Sequence, residues 1–209
     1  MPITSLNNMG VPTEGGNQVL LMPKLKYRFR VTLLGFGVTA ATELTKQVVD
    51  VTRPKVSFEE IPLDVYNSKV YLAGKPSFET VTLTLRDDAS GEVQKLVGQQ
   101  IQKQFDFLEQ ASARSGIDYK FTTRVEVLDG GNANLAPVVL ETINLYGCIV
   151  MNADYGDLNY ATNEAATIAL TIRFDNMDQL GQDNSAIGIG NSVGRTLGAA
   201  VTGASTAQG

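Results

Sequence analysis

Between Val49 and Asp88 the chain repeatedly alternates apolar and polar residues and repeatedly interrupts itself. From Phe78 to Asp87, Val81, Leu83 and Leu85 fall on one side and Thr80, Thr82, Thr84 and Arg86 on the other. That period of two belongs to a strand with one buried and one wet face. Three breaks, at Thr52-Arg53-Pro54, at Pro62–Asn67 and at Gly74-Lys75-Pro76, divide the stretch into four expected strands. One ends over Val49–Val51, and the others run over Lys55–Ile61, Ser68–Ala73 and Phe78–Asp87. Residues from Pro62 to Asn67 read as a loop. A chain organised this way is constrained to a mainly β fold whose strand edges need partners.

The same alternation recurs on both sides. Tyr27, Phe29, Val31 and Leu33 oppose Arg28, Arg30 and Thr32, and the stretch Thr42–Val51 reads as β-structure. Further strands are expected over Asp118–Leu128, over Pro137–Met151 with a bend at Gly147, and over Ala166–Phe174. Only between Ser90 and Gln110 does the period change. There Val93, Leu96, Val97, Ile101, Phe105 and Leu108 make one helical stripe, with Asp87, Asp88 or Ser90 as caps. The organisation expected is an extended N-terminal arm over 1–18, a β domain over 19–180 with one helix near 90–110, and a flexible Gly/Ala/Ser-rich tail over 181–209.

The inventory of reactive groups is thin. The 209 residues include no histidine, which removes the commonest general base and metal ligand. The one cysteine, Cys148, lies in an apolar run and reads as a small buried hydrophobe. Seventeen basic against 22 acidic residues give a net charge of -5, the wrong sign for binding phosphate backbones. The carboxylate clusters Glu59-Glu60-Asp64, Asp87-Asp88 and Asp154-Asp157 lack calcium-loop spacing and read as solvated turns and strand faces. Gly188-Ile189-Gly190 opens a glycine pattern with the wrong spacing for a dinucleotide loop. Tyr27-Arg28-Phe29-Arg30 is explained by period two without invoking nucleic acid. No catalytic, cofactor-binding or metal-binding residue is expected, and no apolar run is long enough for a membrane-spanning helix.

The stretch from Tyr27 to Leu180 resembles the tail tube proteins of contractile-tailed (T4-like myovirus) bacteriophages. The resemblance rests on Tyr27-Arg28-Phe29-Arg30-Val31, Val51-Thr52-Arg53-Pro54-Lys55, Ile61-Pro62-Leu63-Asp64-Val65 and Ser68–Gly74. Phe78–Thr84, the Asp87-Asp88 helix entry and Ala169-Leu170-Thr171-Ile172 complete it. It implies a β-sandwich or barrel subunit with one flanking helix, whose inner sheet joins its neighbours in a hexameric ring. Rings stack into the inner tube of the tail, and DNA passes through without specific binding. The partners implied are other copies of the chain, a tail sheath protein, and baseplate and tail-terminator proteins. The setting implied is the tail of a virion, assembled in the host cytoplasm.

Within that picture Pro62, Leu63, Asp64, Val65, Tyr66, Asn67, Ser68 and Lys69 are expected to reach a neighbouring subunit or ring. Lys55, Glu59, Lys69, Glu79 and Arg86 are candidates for the lumen or an interface, since a one-residue register change exchanges the two faces. Three other functions compete. They are a tube protein of a related contractile injection particle (secretion system or bacteriocin) or a tube initiator, a monomeric β-sandwich binding module, and an enzyme. The module would present clustered aromatics, whereas Tyr66, Tyr71, Tyr155 and Tyr160 are scattered and tryptophan is absent.

Overall fold

The computed structural model describes residues 23–38, 42–130, 137–161 and 163–181. The arm over 1–18 and the tail beyond Gly181 therefore lie outside the described residues. In chain order the elements are β1 (Phe29–Leu34), α1 (Thr42–Gln47), β2 (Val48–Val51), β3 (Val56–Val65), β4 (Ser68–Phe78) and β5 (Val81–Arg86). They continue with α2 (Glu92–Gln104), β6 (Phe105–Asp106), β7 (Ala111–Ser112), α3 (Gly116–Tyr119) and β8 (Phe121–Leu128). β9 (Val139–Asp154), β10 (Thr167–Arg173) and β11 (Asn176–Gly181) complete the fold.

One seven-stranded antiparallel sheet runs β1-β8-β9-β10-β5-β2, with β11 also paired to β9. It is an open sheet, not a closed barrel. β9 is long because it serves twice. Glu141–Tyr146 pairs with β11 and most of that stretch also with β8, while Ile149–Asp154 pairs with β10. The change of partner falls at Gly147, the expected bend, whose φ of 67° is a conformation glycine adopts freely. A Cβ there would lie 2.2 Å from Asp175 Oδ2, so the position also has no room for one. The two halves of the bent sheet bury their inner faces against each other, as the alternation demands. Val31, Leu33, Val125, Ile143 and Leu145 come from one half, and Val81, Leu83, Leu85, Ile168, Leu170 and Ile172 from the other. Each such side chain contributes about 1.5–3 kcal/mol.

α2 closes one end of this core with Val93, Leu96 and Val97. Its first turn is capped from outside, because Gly91 has no side chain to offer. Asp88 accepts a hydrogen bond from the Val93 N–H at 3.3 Å instead. The hydroxyl of Ser90 and that N–H hold the Asp88 carboxyl below its usual range. Gln100, fully buried on α2, accepts from the Gly37 N–H and donates to the Tyr119 carbonyl. Gln104 donates to and accepts from the Val150 backbone, both at 2.9 Å, and so occupies the β9 edge as a neighbouring strand would.

Several local expectations need correction. Thr42–Gln47 is helical rather than extended, with fully buried Leu44 pinning it to the core. The main helix stops at Gln104, and Leu108 is 92% exposed, because the chain turns into β6 at Phe105. Tyr27 is exposed and precedes β1, its ring lying under the Arg28 guanidinium. Gly116–Tyr119 forms a helical turn with a complete Ser115–Asp118 capping box, so the next strand begins only at Phe121. β11 was not expected at all, since Asn176-Met177-Asp178-Gln179 carries almost no β signal. Cys148 is buried as expected.

Candidate assembly surface

The expected loop over Pro62–Asn67 is not a loop. β3 extends through Pro62, Leu63, Asp64 and Val65, and the turn is Tyr66-Asn67 alone, between the paired residues Val65 and Ser68. Gly74-Lys75-Pro76 is likewise no break but part of β4. Proline and glycine usually punctuate strands, yet here they occupy an irregular hairpin. Phe58 pairs with Pro76 and Glu60 with Ala73, so Glu59 faces two residues, Gly74 and Lys75. Such a bulge bends and twists the strand pair. Glycine is required there, because a Cβ on Gly74 would lie 2.8 Å from the Glu59 carbonyl oxygen. At the tip Tyr66 takes the positive φ, 50°, that tight hairpin turns demand of their first central residue.

Among the described residues β3 and β4 pair only with each other. At about 3.3 Å per residue the hairpin projects roughly 30 Å. Its root is held by Phe78 against Phe174, by the Glu79 N–H to the Lys55 carbonyl, and by a 3.2 Å Lys55–Glu79 ion pair. Beyond the bulge the register sorts the side chains. Ile61 lies opposite Leu72, Leu63 opposite Val70, and Val65 opposite Ser68, giving an apolar ladder on one face. Pro62 lies opposite Tyr71 and Asp64 opposite Lys69 on the other, with the last pair 3.6 Å apart. Ile61, Leu63, Val65, Val70 and Leu72 are each roughly half exposed, and Tyr66 is 99% exposed. A free two-stranded ribbon is marginal in water, and an exposed apolar ladder of this size marks an interaction surface.

The structure thus brings the expected contact residues Pro62–Lys69 into one exposed hairpin end. It does not bring together the lumen or interface candidates. Lys55 and Glu79 meet at the root, Glu59 sits in the bulge, Lys69 is near the tip, and Arg86 lies apart on β5, opposite Thr167.

Two further polar features were not read from the sequence. Across the outer face of β1, β8, β9 and β11, Arg30 pairs with Glu126, and Arg124 donates to Asn144, which donates to Asp178. The register places Arg30 opposite Glu126, Arg124 opposite Asn144 and Asn144 opposite Asp178, so long-range pairing of distant strands creates the ladder. Elsewhere, Glu141 is 3% exposed and receives hydrogen bonds from Lys24 and Gln179, with Arg53 at 3.9 Å. Burial pushes its carboxyl up, but those hydrogen bonds and the Lys24 and Arg53 charges outweigh burial and hold it below the usual glutamate range. Among the described residues no group of three or more His, Cys, Asp or Glu is placed to hold a metal ion, and no helix is long and apolar enough to cross a membrane.

An open, bent antiparallel sheet with one sealing helix and a projecting hairpin defines a fold shared with chains of extracellular contractile injection particles. Over 82% of this chain and 99% of the other, it superposes on a chain of the anti-feeding prophage tube-terminating cap with a TM-score of 0.57 at 13% identity. The anti-feeding prophage baseplate contains a chain matching at 0.55 and 16% identity, over 77% of this chain and 97% of that one. A chain of the sheath–tube complex of the extracellular contractile injection system PVC matches at 0.52 and 14% identity, over 86% and 99%. No family model matches the sequence, and no curated protein matches it.

Proposed function

We propose that this chain is a structural subunit that assembles with copies of itself, head to tail, into stacked hexameric rings forming the inner tube of a contractile particle. The observation that carries the reading is the β3–β4 hairpin. It is anchored at its root, apolar along one face and, among the described residues, without a further partner strand. A heterologous contact of this kind closes into rings and lets rings stack. The shared fold supports the same reading, as do the sequence features that resemble phage tail tubes. In a phage tail the lumen passes DNA, and an acidic subunit repels it from the wall. The sheath, baseplate and terminator are the other partners. The runner-up is the tube, or an end component, of a secretion or bacteriocin-type particle.

Pro62–Lys69 contact the neighbouring subunit or ring in this proposal, and Lys55, Glu59, Glu79 and Arg86 lie at an interface or the lumen. Electron microscopy of the purified protein tests it. Hollow fibres or six-fold rings are expected, and deletion of residues 63–67 should give a folded subunit that forms neither. A protein that stays monomeric at every concentration, or normal tubes from the deletion, would refute the proposal. Rings that never stack would favour an end component.

A further inference from the structure

Among the described residues β1 and β2 each pair along one side only, and between them lies a groove of about 420 Å³. Its apolar floor comes from Phe29, Val51, Val125 and Val127. Its rim carries Lys24, Lys26, Arg28 and Arg53, against Asp50 in the rim and Glu141 beside it. Four cations in one groove are unusual for a chain of net charge -5. Two of them are oriented in advance, since the buried Glu141 carboxylate holds Lys24 and lies 3.9 Å from Arg53. Lys26 is exposed and has no ion-pair partner among the described residues.

The complementary surface is present on the same chain. On β3 the exposed Glu59, which has no ion pair among the described residues, shares one face with the exposed apolar Ile61, Leu63 and Val65, while Glu60 and Asp64 lie on the other face. We infer that this groove receives the β3 side of the hairpin from a second copy of the chain. The Ile61-Leu63-Val65 face covers the apolar floor, and Glu59, on that same face of β3, meets the basic rim. Pro62 has no N–H, so side chains rather than a continued backbone ladder carry the contact. The inference rests on the proposed assembly through the hairpin and names its receiving face. Groove and hairpin are patches of different residues, so the contact is head to tail.

Charge reversal and cross-linking test it on the full chain. Lys26→Glu and Glu59→Lys alone should each weaken assembly by about tenfold or more, because like charges face one another across the contact. The double variant should recover most of the loss in sedimentation velocity. Separately, Lys26→Cys and Leu63→Cys proteins, mixed under mild oxidation, should form a disulfide-linked dimer, against low background because Cys148 is buried. No recovery together with no cross-link overturns the groove assignment, and loss of assembly on deleting residues 63–67 would then still uphold the hairpin reading. Full assembly by the deletion variant overturns both. Protection of Lys26→Cys from maleimide in monomeric protein means that the chain's own leading residues fill the groove, which also overturns the assignment.

Discussion

The ring of Phe78, the last residue of β4, lies 5.2 Å from that of Phe174, just past β10, with the planes inclined at 44°. This contact joins the root of the hairpin to the core, where Phe174 is 2% exposed. Phe174→Ala should cost about 3–5 kcal/mol of stability. Phe78→Ala, at a half-buried position, should cost less in denaturant unfolding but should loosen the hairpin, read as faster amide exchange along β3 and β4.

Gly74→Ala separates hairpin geometry from global stability. The added methyl meets the Glu59 carbonyl in the bulge. The bulge must open or shift, changing the direction of the outer hairpin. Assembly should fall severalfold, while the unfolding free energy of the core stays within about 0.5 kcal/mol, as for surface sites.

Tyr66→Gly should act in opposite senses on two measurements. Glycine accepts the positive φ that tyrosine tolerates poorly, relieving about 1 kcal/mol locally. The exposed ring is lost at the same time. Slower tip exchange in the isolated subunit together with weaker assembly is the expected pair of results. Unchanged assembly would remove Tyr66 from the contact.

Much of this was legible in the sequence. Period two located the buried faces of β1, β5, β8 and β10, because their inward residues meet a core on one side only. Period 3.6 found α2. The hairpin was seen as strands around a loop, because Pro62, Gly74 and Pro76 usually terminate strands and here sit in a bulged ribbon with free edges. The groove and the Arg124–Asn144–Asp178 ladder were invisible for another reason. Their members come from segments separated by tens of residues, and only strand register brings them together.

Glu141 gives the fold a defined acid sensitivity. Its folded-state pKa lies below the ordinary value of 4.5, so the stabilisation it provides is complete above that value and is lost as pH falls through the lower, folded one. Glu141→Gln should flatten the decline in unfolding free energy below about pH 4.5 and cost roughly 1–2 kcal/mol at neutral pH. An unchanged acid limb would assign the sensitivity to other carboxylates.

Cys148 should resist thiol reagents. Burial raises its pKa and closes access. Labelling should proceed at the rate of global unfolding and accelerate in Phe174→Ala.

β9 gives the subunit a grain. It is one unbroken main chain running through both halves of the bent sheet, so sliding one half past the other along it must strain covalent bonds, whereas strands elsewhere part by releasing hydrogen bonds. In the proposed tube wall, pushed along its length, that strand would be a tie-bar. The line along which the subunit tears most easily lies where β1 and β2, among the described residues, face each other unpaired, and in the proposed tube whatever bridges that line would set the strength of the wall.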